Sequence, residues 1–239
     1  MTGKRKSGFF GGIHPTDGSD KALTDRKPIR ILEPDTVTIY LNQSLTGGCK
    51  PLVKEGEQVV KGQLIARSEG FARDHLHASV TGRVEKITEI GEKGSSRTAF
   101  VIARLGEETE EPAGTYQKEF SDLSGYSREE ILERMMEGGL VGMGGAGFPT
   151  HVKLSPKEPE KIDYVLINGA ECEPYLTADY RRMLEYPEQV AGGLRILLRL
   201  FPNAKGVICI EDNKPECIRI MEQACAGDPS LCVRPLKTK

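Results

Sequence analysis

Between Gly138 and Lys153 the chain reads Gly-Gly-Leu-Val-Gly-Met-Gly-Gly-Ala-Gly-Phe-Pro-Thr-His-Val-Lys, and six of the first ten residues are glycine. Glycine loses more backbone freedom on ordering than any other residue, so such a run is unfavourable inside a helix or strand. In a loop the same property is useful. Without Cβ atoms the backbone can bring several N–H groups up to one ligand, and amides so oriented form a concave anion site. Gly142, Gly144 and Gly147, with Gly145 between them, fit G-x-G-x-x-G. That pattern marks a dinucleotide turn only where a strand precedes it and a helix follows. Here the preceding residues, Ser127 to Glu137, read as helix. Ser127 and Glu130 have capping-box spacing, and Ile131, Leu132, Met135 and Met136 form a helical apolar stripe. The expectation is a phosphate loop built differently from an ordinary Rossmann turn, with a ligand-free flexible loop as the alternative.

A second cluster of chemistry-bearing residues follows the apolar run Ile162 to Ile167: Asn168-Gly-Ala-Glu171-Cys-Glu173-Pro-Tyr. In open α/β sheets ligands sit beyond the carboxyl ends of the strands. Asn168 would then be placed to hydrogen-bond a planar heterocycle, and Gly169 and Ala170 leave room for one. Glu171 and Glu173 share a direction if the segment stays extended, and two carboxylates suit ribose hydroxyls or a carboxamide. The plain alternative is a solvated acidic turn.

The elements that must position these residues are of two kinds. From Thr36 to about Arg104 the pattern is all-β. Val37, Ile39 and Leu41 alternate with polar residues, and Pro51 to Ala66 holds two short strands with glycine turns at Gly56 and Gly62. His77 to Ile87 and Thr98 to Ala103 add further strands. Glu107-Glu-Thr-Glu-Glu-Pro lies in a linker or exposed edge. Beyond the glycine loop, strand and helix alternate, which implies parallel pairing in α/β layers. Ile162 to Ile167 is expected as a buried strand. Thr177 is placed to cap a helix to about Glu185. Pro187 opens a helix with Val190, Leu194, Leu197 and Leu198 inward. Gly206 to Ile210 is a strand, and Pro215 opens a helix with Cys217, Ile218 and Met221 inward. Leu231 begins a third strand. A parallel sheet needs later crossovers, so the sequence is expected to be a fragment whose α/β domain is incomplete at its C-terminal end.

The expected organisation is an N-terminal arm over 1–34, with Gly11-Gly-Ile-His14-Pro and apolar residues near Pro28 that pin it. A β module follows over 35–105, a linker over 106–126, and an α/β domain over 127–239.

Composition narrows the function classes. The chain has 239 residues, 38% hydrophobic and 28% charged, as expected of a folded protein rather than a disordered one. Lys and Arg number 33 against 35 Asp and Glu, which gives no argument for a nucleic-acid partner. No apolar run approaches the roughly 20 residues that cross a bilayer, and the basic start lacks a signal-type core, so a cytoplasmic location is expected. The six cysteines have no C-x-x-C pairing. Neither a zinc nor an iron–sulfur site is expected in this chain, and most of the cysteines are expected as buried thiols. His75 and His77 lie two apart but lack a third metal ligand, and His14 reads as structural.

The pattern E-G-x-x-V-x-x-G-Q-x-x-A followed by S-x-x-G-x-V resembles the biotinyl/lipoyl-like barrel–sandwich hybrid. That family carries its cofactor on a hairpin lysine. Arg67 to Leu76 contains none, so the module is read as a scaffold without lipoyl or biotin.

G-x-G-G-A-G-F-P-T-x-x-K followed by N-G-x-E-C-E-P resembles the flavin- and NADH-binding subunit of respiratory complex I and related hydrogenases. With G-G-I-H-P and the lipoyl-like module in front, the chain most resembles the C subunit of Rnf electron-transport complexes, over about residues 10 to 215. The resemblance implies a Rossmann-like α/β flavin/NADH-binding domain behind the barrel. It implies FMN held by Gly142, Gly144, Gly145 and Gly147, Lys153 near the phosphate, and Phe148 stacked on a nucleotide ring. Asn168 and Glu171 would meet the flavin side, and Glu173 the NADH. No side chain is implied as a catalytic acid or base. Complex I-type sequences carry arginine at Met143 and aspartate at Ala170, and a glycine and an aromatic at His151 and Pro156; this chain lacks those groups. The family's two [4Fe–4S] clusters lie in a later region outside these residues.

The implied activity is electron transfer between NADH and iron–sulfur centres, a ferredoxin:NAD oxidoreductase coupled to ion translocation. The implied partners are the other subunits of an Rnf-type complex, on the inner face of the cell membrane. The alternative is a non-catalytic docking module of the same complex.

Overall fold

Apolar residues at period two and at helical period build two different cores. The computed structural model describes residues 21–43, 48–69, 75–92, 96–106, 125–143 and 146–238. The chain divides into one compact unit over Leu32–Lys157 and another that joins Met1–Ile31 to Glu158–Lys239.

In the first unit the strands are β1 (Thr36–Tyr40), β2 (Lys50–Pro51), β3 (Gln58–Val59), β4 (Leu64–Arg67), β5 (Leu76–His77), β6 (Gly82–Ile90) and β7 (Arg97–Arg104). They form a four-stranded sheet in the order β1-β7-β6-β3 and a three-stranded sheet in the order β2-β4-β5. Every pairing is antiparallel. The alternation seen in sequence is the core pattern. Ile39 and Leu41 from the first strand and its end join Val59, Ile65, Val84, Phe100 and Ile102 in one buried cluster, with Val37 packed against it. The glycine turns are tied into the sheets, with the Gly56 N–H donating to Val84 O and the Gly62 N–H to Ala78 O.

Helix α1 (Arg128–Glu137) belongs to the same unit. Its capping box forms as the spacing predicts: the Ser127 side chain accepts from the Glu130 N–H, and the Glu130 carboxylate accepts from the Ser127 N–H. The two bonds satisfy two otherwise unpaired donors at the helix start. Ile131 is buried on its inner face. The helix stops at Gly138, and Gly139 turns left-handed with φ of +62°. A Cβ on Gly139 would lie 2.0 Å from the backbone oxygen of His75. The helix end and the start of strand β5 thus meet backbone to backbone. The short helix α2 (Thr150–Lys153) follows the glycine loop, and the Arg128 guanidinium donates to Leu154 O just beyond it.

In the second unit β8 (Tyr164–Asn168), β9 (Lys205–Glu211) and β10 (Leu231–Leu236) form a parallel sheet in the order β10-β9-β8. Between them run α3 (Ala178–Glu185), α4 (Pro187–Leu198) and α5 (Pro215–Cys225). Pro187 and Pro215 stand in the first turns of their helices, as expected, because a missing N–H costs nothing there. Leu194, Cys217 and Met221 pack with Ile208, Ile210 and Leu231, and Val190, Leu198 and Ile218 lie against that cluster.

Three expectations are corrected. The strand at 162–167 is not buried on both faces: among the described residues β8 lies at the edge of its sheet, and Tyr164 and Leu166 are 60% and 64% exposed. Thr177 precedes α3 but its side chain makes no capping bond; it is buried, and Glu171 serves the helix instead. Half of the cysteines are buried rather than most: Cys49, Cys217 and Cys225. Burial pushes the Cys217 thiol up to about 11, which keeps it protonated and unreactive. His14 lies outside the described residues.

The contact at Gly139 leads to a direct comparison. Gly139→Ala should cost about 2–4 kcal/mol in denaturant unfolding, from left-handed strain and the clash with His75. Gly142→Ala should cost much less, since its Cβ would find its nearest neighbour, Phe148 O, at 3.7 Å. Equal losses would show that the approach of α1 to β5 is not the constraint.

Candidate functional site

Gly144 and Gly145 lie outside the described residues; the rest of the glycine loop has a defined base. Val141 bridges Pro149, the Gly142 N–H donates to Phe148 O at 2.8 Å, and the Thr150 N–H donates to Leu140 O at 2.9 Å. The chain therefore leaves α1, makes a narrow hairpin, and enters α2. The Gly142 amide, expected to face a phosphate, is hydrogen-bonded inside that hairpin in this conformation. Gly147 is buried with φ of +61°, a backbone state that side chains resist. Phe148 beside it is 46% exposed and Met143 is 98% exposed. Lys153, the last residue of α2, is exposed. The hairpin thus presents an aromatic face and a cation near a left-handed glycine, groups that suit a phosphate-bearing ring.

The hairpin's root is held by groups that the sequence did not connect with the loop, His75 among them. His75 is buried, and its Nδ1 accepts from the Ser68 N–H at 3.2 Å. The other ring nitrogen, Nε2, faces the Glu137 carboxylate at 3.8 Å. Arg67 stands 3.9 Å from the same carboxylate. Burial, and then His75, hold His77 below its usual value of 6.5, while Glu137 works in the opposite direction. The two histidines form a corner under the end of α1.

The acidic corner lies at the carboxyl end of β8, the end of a strand where ligands sit in open α/β sheets. Asn168 is exposed, and its Oδ1 accepts from the Ala170 N–H at 3.1 Å, which turns the chain sharply. Glu171 and Glu173 behave differently. The Glu171 carboxylate turns back onto α3 and accepts from the Asp179 N–H at 2.9 Å and the Tyr180 N–H at 3.3 Å. A carboxylate at a helix start also meets the positive end of the helix dipole. Glu173 is exposed. Burial, and then Glu171, raise the Asp179 carboxyl above its usual value, with Lys21 acting against the shift. Tyr175 has φ of +63°, the only non-glycine among the described residues in the left-handed region. For a bulky residue that costs about 1 kcal/mol or more.

The arm of residues 21–29 crosses this corner. The Lys21 ammonium donates to Glu171 O, and the Thr24 hydroxyl donates to Tyr175 O at 2.6 Å. Arg181 donates to Asp25 O at 3.1 Å, and the Ile29 N–H meets the Glu185 carboxylate at 3.2 Å. The arm was expected to be pinned by apolar residues. It is pinned by hydrogen bonds, and Leu23, Ile31 and Leu32 remain exposed.

The glycine-loop residues fall in the first unit and Asn168, Glu171 and Glu173 in the second. The lowered value of His77 fixes a pH dependence. A histidine held below 6.5 in the fold favours the folded state fully above 6.5, and that stability is lost as pH falls toward the folded value. His77→Gln should flatten this acid-side loss, measured by thermal melting at about pH 7.5 and about pH 5. An unchanged slope would remove His77 as its source.

Comparison with known proteins adds three findings. Residues 7–107 match the RnfC barrel sandwich hybrid domain, and residues 135–239 match the Nuo51 FMN-binding domain. The C subunit of the proton-translocating ferredoxin:NAD(+) oxidoreductase complex of Clostridium ljungdahlii is 41% identical over 92% of this chain and 47% of its own length. The C subunit of the Na(+)-translocating ferredoxin:NAD(+) oxidoreductase complex of Acetobacterium woodii is 37% identical over 97% of this chain and 52% of its own length. The chain therefore spans about half the length of both relatives. A solved NAD+-reducing [NiFe]-hydrogenase shares 24% identity at a TM-score of 0.37, over 46% of this chain and 20% of that chain. A barrel sandwich hybrid of RnfC type joined to a Nuo51-type FMN-binding domain, with this degree of identity, makes the chain a member of the C-subunit family of Rnf-type electron-transport complexes.

Proposed function

We propose that the chain binds FMN and NADH and serves electron transfer between NAD(H) and iron–sulfur centres, as part of a C-type subunit of an ion-translocating ferredoxin:NAD oxidoreductase. The observation that carries the reading is the hairpin over 141–149, within the residues matched by the FMN-binding domain. It offers a left-handed glycine beside a half-exposed aromatic, with a cation at its exit. A cation for the phosphate and an aromatic face for a ring suit a flavin mononucleotide.

In this reading the functional division is a scaffold over 35–105, a linker over 106–126 and a Rossmann-like binding domain over 127–239. The amides near Gly144, Gly145 and Gly147 hold the phosphate end, and Lys153 neutralises its charge. Phe148 covers a ring face and keeps water from it. Asn168 has an amide left over from its own turn to orient a ring edge, and the exposed Glu173 receives the second nucleotide. Glu171 acts mainly by fixing the corner, since its carboxylate is engaged with α3. Hydride exchange with nicotinamide and single-electron exchange with iron–sulfur centres are chemistry a bound flavin supplies. The barrel serves docking to other subunits at the inner face of the cell membrane. Among the described residues no helix is long and apolar enough to cross a membrane.

Titration of the apoprotein with FMN tests the reading. Retained flavin absorbance that bleaches on adding NADH is expected. A chain that keeps no flavin would leave only the docking role. Gly147→Val should weaken FMN about tenfold or more, through left-handed strain and lost approach of the backbone. Lys153→Ala should weaken it several-fold at low salt and less at high salt, because a charge contact is screened over about 10 Å at 0.1 M. Unchanged affinity in both variants would take the hairpin out of the site.

A further inference from the structure

The acidic corner carries the backbone strain of the second unit, and what holds it comes from the other end of the chain. Residues 171–177 form neither helix nor strand. Their backbone takes a left-handed step at Tyr175, which an aromatic residue adopts only when its surroundings impose it. From one side the Glu171 carboxylate ties the corner to the first N–H groups of α3. From the other side the arm of residues 21–29 reaches its backbone carbonyls. Lys21 donates to Glu171 O, and Thr24 donates to Tyr175 O, the carbonyl of the strained residue itself. The Thr24 hydroxyl also lies 3.2 Å from Lys21 O, so the two contacts belong to one turn of the arm. The arm is fastened further along, by Arg181 to Asp25 O and by the Ile29 N–H to Glu185.

These bonds are selective. They take up backbone carbonyls of the corner and leave Glu173, Tyr175 and Leu176 facing solvent. The arm buries little apolar surface in doing so, since Leu23 stays 66% exposed. A segment fastened only by directed hydrogen bonds contributes little core but fixes geometry.

We propose that residues 21–29 are a strap whose Lys21 and Thr24 are positioning residues, holding the acidic corner in the strained form that receives the nucleotide. The inference rests on the reading of Glu173 as the nucleotide-facing carboxylate. Neither residue touches the nucleotide; both act through the backbone of Glu171 and Tyr175. Without the strap the corner relaxes, Glu171 loses its hold on α3, and the solvent-facing groups lose their common orientation.

The test uses the whole chain carrying Thr24→Val, which keeps shape and removes the donor, and Lys21→Met combined with it. Hydrogen exchange of the cofactor-free protein reports the corner directly, through the Asp179 and Tyr180 amides that Glu171 protects. Their exchange should rise several-fold in Thr24→Val and about tenfold in the double variant, the scale of one or two lost hydrogen bonds. Thr24→Ser should restore the wild-type rate. The NADH dissociation constant should rise about tenfold in the double variant, while FMN affinity stays unchanged. Unchanged exchange overturns the strap, and faster exchange with unchanged NADH affinity reduces it to a structural tie and overturns its positioning role. A wild-type chain that binds no NADH overturns the nucleotide reading instead, and the exchange rates then still decide whether the strap holds the corner.

Discussion

A single missing side-chain atom sets the geometry of the glycine hairpin. Gly139 passes so close to His75 O that only hydrogen fits between the two backbones. The end of α1 is thereby fixed against strand β5, and the hairpin starts from a defined direction. Polar groups around the contact reinforce it: Glu137 faces His75 and Arg67, and the Ser68 N–H donates to Nδ1 of the His75 ring. The barrel and the base of the hairpin belong to one compact unit, so the backbone contact at Gly139 sets the direction in which the chain leaves α1.

The acidic corner is built on the opposite plan. Its backbone is strained rather than relaxed, and it is restrained by distributed polar contacts rather than by packing. Glu171 shows how a residue chosen by sequence for ligand contact can be committed to the scaffold. Its carboxylate does the capping that Thr177, now buried, does not. That leaves Glu173 and Asn168 as the groups with polar atoms turned outward. The division of labour follows from position: Glu171 is near enough to α3 to meet two orphan N–H groups, and a charged acceptor at a helix start is worth more there than in water.

The sheet of the second unit explains why the corner is accessible at all. Val165 and Ile167 face the core shared with α4 and α5, while β8 itself lies, among the described residues, at an edge of the sheet. Asn168 closes β8 and is exposed, so the residues after it leave the sheet at its carboxyl end. Tyr164 and Leu166 alternate with the core-facing pair and stay exposed, so the run that reads as a fully buried strand is half-buried. Continuous hydrophobicity cannot distinguish these cases, because it reports that a residue favours burial and not whether a partner is present.

Much of the fold is legible from local pattern. Ser127 and Glu130 form their capping box because both partners lie within one turn, and the first turns at Pro187 and Pro215 follow from proline alone. The alternation of Val37, Ile39 and Leu41 places them toward the barrel core. The glycine loop and the Asn168 corner are likewise evident as loops, since their residue types resist regular structure. What the chain by itself could not reveal were relations between distant residues. Nothing near Gly139 in sequence indicates His75, nothing near Thr24 indicates Tyr175, and nothing in Glu171 shows that α3 will claim its carboxylate. The amino-acid order determined which segments could be strand, helix or ligand-bearing loop, because those preferences are short-range. Tertiary structure alone decided which backbone atoms meet and which carboxylate is engaged, because such contacts exist only once separate segments have been brought together: 64 residues apart for Gly139 and His75, and about 150 for the arm and the acidic corner.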